Sequence, residues 1–189
     1  ASIDGEHCTQ VVIRSRADSK ELQEQIDYLS QRDLLTGLYN RPTFMNRLSE
    51  CLEQAHGGLG NSVLMHLELD NFDKLRQELG INAGDKLLTA VGKLFMENIG
   101  EENMIARFEG DSFTILSPHY EDAALEALAT TLLTSVAEHS FDLDGKSISC
   151  TVSIAVISTS LGYDLQRWHK YSQQITYYNC FKRFNLMHA

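Results

Sequence analysis

Apolar residues recur along this chain at two spacings. From Ser62 to Asp70 they alternate, with Val63, Met65, Leu67 and Leu69 on one side and Leu64, His66, Glu68 and Asp70 on the other. That is the period of a β-strand. The first side reads as core. The second turns acidic toward the C-terminal end of the strand, where α/β sheets commonly place ligands. From Ile105 to Leu116 two runs of β-formers flank Glu109-Gly110-Asp111-Ser112, which predicts a hairpin with Gly110 at positive φ and the Asp111 carboxylate at its tip. Ser147 to Ile157 alternates and is β-branched, a further strand.

The other spacing is helical. Asn40 caps and Pro42 fits the first turn of a helix with Phe44, Leu48 and Leu52 as its stripe. Phe72 to Leu79 is helical up to Gly80; Ala83 to Ile99 carries Leu87, Leu88, Val91, Leu94 and Phe95; Glu121 to His139 carries Leu125, Leu128, Leu132 and Val136. Strand, helices, hairpin, helix, strand is the order of an α/β (α+β) sandwich, a mostly antiparallel central sheet flanked by helices. His56 to Asn61, with three glycines, is a loop. Cys8 to Ile13 reads as a short strand closing a preceding domain, and the aromatic tail from Leu161 to Ala189 as a final helix over the sheet. Ala17 to Arg32 is polar except for Leu22, Ile26 and Leu29. A stripe of about two heptads suits a dimer seam and a helix lying on its own domain equally well.

Composition narrows the partners. A formal charge of −10 argues against nucleic acid and anionic membranes, which want clustered Lys and Arg. Cys8, Cys51, Cys150 and Cys180 are scattered without a C-x-x-C pair, which fits a reduced, cytoplasmic chain. No apolar run reaches the length of a membrane span, and the N-terminus lacks the form of a signal peptide.

Two motifs carry a resemblance. Asp33-Leu-Leu-Thr-Gly-Leu-Tyr-Asn-Arg41 is similar to the D-x-L-T-G-L-x-N-R entry of GGDEF domains, the diguanylate cyclases. Arg107-Phe108-Glu109-Gly110-Asp111-Ser112-Phe113 resembles their signature turn in degenerate form, with Glu109 and Ser112 out of pattern and Gly110, Asp111 and Phe113 in it. The likeness runs from Asp33 to about Ile157 and implies the nucleotide-cyclase fold. It also implies the division of residues 1–14 as the end of a PAS-like domain, 15–32 as a signalling linker helix that dimerises, and 33–189 as a degenerate GGDEF domain. Such domains occur in bacterial PAS–GGDEF–EAL cyclic di-GMP signalling proteins, some of them acting in type IV pilus motility.

The family joins two GTP molecules by phosphoryl transfer, which needs divalent metal on carboxylates, a base, a guanine pocket and basic groups for phosphate. The family's metal-binding D-x-D corresponds to Glu68 and Asp70. Glu adds a methylene where Mg²⁺ demands near-octahedral geometry. Asp111 keeps one carboxylate of the turn, whereas the Ser112 hydroxyl is a poor base at neutral pH. A charged Glu109 would crowd and repel a triphosphate. The guanine-reading Asn corresponds to Arg76, which carries donors only, while the pocket's acid is kept as Asp85; an acid in a first helical turn also favours the helix dipole. The phosphate-gripping lysine corresponds to Asp73, and Lys182 and Arg183 are the nearest C-terminal basic candidates. The inhibitory R-x-x-D site would fall on Gly100 to Asn103 and is absent. The resemblance therefore implies a catalytically inactive GGDEF domain, a regulatory and dimerisation relay beside PAS and EAL neighbours. It needs no cofactor, with Mg²⁺ only if nucleotide binding persists. The alternatives are a weak diguanylate cyclase and an allosteric GTP-binding module.

The Leu22, Ile26 and Leu29 stripe gives a prediction. Each large side chain is worth about 1.5–3 kcal/mol when fully buried, but association costs several kcal/mol of lost freedom. The chain should be largely monomeric at low micromolar concentration and dimerise as concentration rises. Analytical ultracentrifugation beside Leu22→Asp/Leu29→Asp checks this; equal, concentration-independent masses for two folded proteins would remove the seam.

Overall fold

The computed structural model describes residues 2–3, 6–7, 16–56, 62–118 and 121–158. The Cys8–Ile13 strand, most of the glycine loop, and the aromatic tail with Lys182 and Arg183 lie outside the described residues. The chain divides into two compact units, Ala1–Gln31 and Arg32–Ala189.

In the first unit, strands β1 (Ser2–Ile3) and β2 (Glu6–His7) pair antiparallel. Helix α1 (Arg16–Ser30) carries a Lys20–Glu24 ion pair and a Gln23–Asp27 hydrogen bond, the i,i+4 contacts that support an exposed helix. Leu22, Ile26 and Leu29 are 58%, 52% and 56% exposed.

The second unit is built on a four-stranded antiparallel sheet ordered β4-β5-β3-β8, made of β3 (Ser62–Leu69), β4 (Met104–Glu109), β5 (Ser112–Pro118) and β8 (Val152–Ser158). β3 lies between β5 and β8 and is paired along both edges. Helices α3 (Phe72–Leu79), α4 (Ile81–Asn98) and α5 (Asp122–Glu138) share a core with Val63, Met65, Leu67, Leu69, Phe113 and Ile115. Helix α2 (Arg41–His56) packs Phe44, Leu48 and Leu52 with Leu64, Phe108 and Leu116 in a second cluster. Asn40 caps α2, its side-chain oxygen accepting the Thr43 amide at 3.0 Å. Gly92 lets α4 sit close: a Cβ there would lie 3.3 Å from Leu38 and 3.6 Å from Phe113.

The side of β3 read from sequence as turning acidic packs Leu64 into the α2 cluster and buries His66, and its last residues, Glu68 and Asp70, are the less enclosed ones, in line with the alternation. That leaves both faces apolar over most of the strand, the condition of a sheet covered on two sides. The single strand predicted over Ser147–Ile157 is two. Its start belongs to a separate hairpin of β6 (Phe141–Leu143) and β7 (Lys146–Ile148), and only Val152–Ser158 joins the central sheet. Asp144 and Gly145 both take positive φ, 58° and 80°, the two-residue turn that Asp-Gly favours and whose twist suits a tight hairpin. Asp144 also pairs with Lys86 of α4. Finally, α4 begins at Ile81, so Asp85 lies in its second turn, beyond the reach of the first-turn dipole argument.

His66 marks the second cluster chemically. Its ring is 6% exposed, 3.4 Å through Nδ1 from the Thr114 hydroxyl, and edge-on to Phe108. Burial pushes its pKa from 6.5 down to about 4, so the fold holds the imidazole neutral. The unfolded chain takes up a proton first, and stability contributed by the neutral ring is lost as pH falls through that interval. The loss should reach roughly 3 kcal/mol below it. Urea midpoints measured from pH 7 down to pH 4 should fall more steeply for the wild type than for His66→Leu; parallel curves would contradict the assignment.

Candidate functional site

The hairpin turn between β4 and β5 meets the C-terminal end of β3. Glu68 pairs in register with Ser112, and the Leu69 amide donates to the Asp111 carbonyl at 3.4 Å. Gly110 takes φ 56°, where a side chain would strain the turn. The register of β4 against β5 shifts between Arg107 and Glu109, a bulge of the kind that re-aims side chains at strand ends.

Ser112 closes this turn on itself. Its buried hydroxyl donates to the Glu109 carbonyl at 2.7 Å and accepts from the Glu109 amide at 3.2 Å. Both roles of the hydroxyl are thereby used by the turn's own backbone. Asp111 is partly buried instead of standing clear of the ribbon. Glu109 is exposed and turns to Arg41, 3.4 Å from its guanidinium.

The carboxylates gather but do different work. Asp70 follows the last residue of β3, and its two oxygens accept from Thr151 Oγ1 at 2.5 Å and Ser153 Oγ at 2.6 Å. Its amide donates to the Thr151 carbonyl at 3.0 Å. Asp70 therefore fastens the start of β8 to the end of β3, a structural use that sequence reasoning missed. Glu68 titrates above its ordinary range, first through burial and then through the charges of Asp111, Asp70 and Asp73. Burial also raises Asp111, with a smaller push from Asp73 and opposing pulls from its own amide and from Arg107. Asp73, in the first turn of α3, thus adds negative charge where the phosphate lysine was expected.

Arg76 is exposed one turn further on, its stem 3.4 Å from the place a Cβ on Gly84 would occupy. This brings it beside the stretch of α4 that carries partly buried Asp85. Gly100 to Asn103 form a bend closed by the Asn103 amide on the Gly100 carbonyl at 3.0 Å.

The entry motif is tied to the same turn. Asp33 Oδ1 accepts from the Thr36 amide at 2.9 Å and the Thr36 hydroxyl at 2.7 Å. Arg107 reaches Asp33 at 3.4 Å through Nη1 and donates to the Gly110 carbonyl at 2.9 Å through Nη2. Burial pushes Asp33 up, but Thr36 and Arg107 outweigh it and hold the carboxyl below its ordinary value. Both motifs were legible; that one arginine joins them was not.

For a divalent cation the donor set fits in part. Glu68 and Asp111 carry charge close to one another, and a cation between them would relieve it and polarise a bound phosphate. Asp70 is committed to β8 and Ser112 to the turn. Among the described residues no group of three or more His, Cys, Asp or Glu is placed to hold a metal.

Comparison with known proteins agrees with this geometry. The family described as "Diguanylate cyclase, GGDEF domain" matches residues 30–184. The probable diguanylate cyclase DgcE of Escherichia coli (strain K12) is 27% identical over 147 residues, 77% of this chain and 13% of that protein. The cyclic di-GMP phosphodiesterase PdeR of the same organism is 30% identical over 141 residues, 74% of this chain and 21% of that protein. The chain thus spans about a fifth or less of these two relatives. The FimX GGDEF domain crystal structure from Pseudomonas aeruginosa aligns with a TM-score of 0.71 at 29% identity, covering 76% of this chain and 90% of that one.

The carboxylate pair gives a direct test. In a carbon-13 NMR titration Glu68 should protonate above the usual glutamate range. Asp111→Asn should lower its pKa only partway, since burial is the larger cause. An unmoved Glu68 would separate the two groups.

Proposed function

Since this chain belongs to the GGDEF domain family, we propose that it is a catalytically inactive member, a regulatory relay within a longer cyclic di-GMP signalling protein. One observation carries the reading. Ser112 stands where the resemblance requires a carboxylate, and its hydroxyl is engaged by the backbone of its own turn. Attack by a 3′-hydroxyl needs a group to take its proton, and positioned bases contribute about 10²–10⁴-fold. Asp70, the other nearby acid of the strand end, is engaged by Thr151 and Ser153. Asp73 puts negative charge where phosphates would need positive.

The relay itself uses the N-terminal side. Residues 1–14 would end a PAS-like domain, α1 would pair weakly with a second copy through Leu22, Ile26 and Leu29, and an EAL-type domain would receive the signal. Relatives of similar identity are named for opposite activities, one a probable cyclase and one a phosphodiesterase. Possession of this domain therefore does not by itself fix the chemistry of the whole protein.

A second reading has an observation of its own. Glu68 and Asp111 together could hold one Mg²⁺ with the phosphates of a nucleotide, which would make the domain a GTP-binding regulator without turnover. Under either reading, incubation with GTP and Mg²⁺ or Mn²⁺ should give no cyclic di-GMP by chromatography. Calorimetry with GTP separates the two. Steady product that Asp111→Ala abolishes would overturn both and restore a weak diguanylate cyclase.

A further inference from the structure

Glu109 occupies the position that the family resemblance assigns to glycine, and its carboxylate has a partner. Arg41, the first residue of α2, lies 3.4 Å from Glu109 Oε2. The same guanidinium sits over the Phe108 ring, 4.8 Å from its centroid. Phe108 is in turn fixed edge-on by Phe44 at 6.3 Å and His66 at 6.4 Å. Arg41 is therefore partly ordered by an aromatic surface before it pairs, which reduces the side-chain entropy that usually cancels an exposed ion pair.

What this contact spans matters more than its strength. Residues 32–41 follow α1 in sequence and run beside β4. The Tyr39 amide donates to the Ile105 carbonyl at 3.2 Å, and the Arg107 amide donates to the Tyr39 carbonyl at 2.9 Å. Tyr39 and Ala106 form a parallel bridge. Arg107, the residue after Ala106 on β4, grips Asp33 and Gly110. Arg41, two residues after Tyr39, grips Glu109. The geometry points to Glu109 as half of a clasp: together with Arg41 it pins the entry segment to the signature turn. A residue that would obstruct nucleotide thus fastens the segment that follows α1 in sequence. The clasp deepens the relay reading, giving the turn a mechanical task in place of a catalytic one.

Hydrogen exchange at the Tyr39 and Arg107 amides, measured on this chain without nucleotide, tests the clasp. Glu109→Ala should speed exchange at both amides by about two- to fivefold, the range open to a partly exposed ion pair. The same substitution in an Arg41→Ala background should add nothing, because the partner is already gone. Raising the salt concentration should narrow the wild-type advantage. Amides of β3 should not change, nor should Arg47→Ala, which breaks a pair with Glu50 inside α2, move Tyr39 or Arg107. Unchanged exchange in Glu109→Ala would overturn the clasp, as would an equal acceleration with and without Arg41. Since the measurement involves no GTP, either failure leaves the test of turnover intact.

Discussion

The bond from Arg107 to the Gly110 carbonyl, shared with the Asp33 carboxylate, is the contact on which the arrangement of the turn depends. A guanidinium has donors in a fixed fork and no acceptor, so it can join two oxygens only if both are brought to its plane. The β4 bulge and the positive φ of Gly110 present one of them. The Asp33–Thr36 turn presents the other. With Asp33 held ionised by the same partners, the join has full charge on both sides across the neutral range. Arg107 is only 18% exposed in its side chain, so its attraction to Asp33 is screened less by salt than that of the outlying pairs.

Around this join the acidic residues divide by how they are enclosed. Asp70 accepts from two hydroxyls, one on each oxygen, while Glu68 and Asp111 remain with raised proton affinity. The exposed Glu109 is balanced by Arg41. Concentrated negative charge is tolerated where metal or basic side chains offset it. Here neighbouring hydroxyls, amides and arginines do part of that work.

Much of this was legible in the sequence. The alternation of β3, the helical stripes of α2 to α5 and the Gly-Asp turn each follow from spacing, and the structure places them within a residue or two of the expected bounds. The Asp33–Arg41 and Arg107–Phe113 motifs carried the family. The β6–β7 hairpin was missed although Asp144-Gly145 announces it, because the β-branched run after it drew the eye to one long strand. That His66 is buried was not legible, because nothing in its own strand names the Phe108 ring and the Thr114 hydroxyl beside it. The roles of Asp70 and Arg41 were invisible because their partners lie 83 and 68 positions away, and that of Ser112 because it depends on how its own turn closes.

The central position of β3 also constrains how the protein is made. Its neighbours along the sheet are β5, which ends at Pro118, and β8, which ends at Ser158. During synthesis β3 emerges early, but one of its edges finds no partner until β8 has left the ribosome. An apolar strand with an open edge is a template for pairing with other chains. Partners so distant in sequence also slow the search for the native register. Truncations that stop short of Val152 would therefore do more than remove an edge strand. They would leave a buried, largely apolar central strand permanently half-paired, and a shortened form of this domain should be lost to aggregation before any question of its signalling arises.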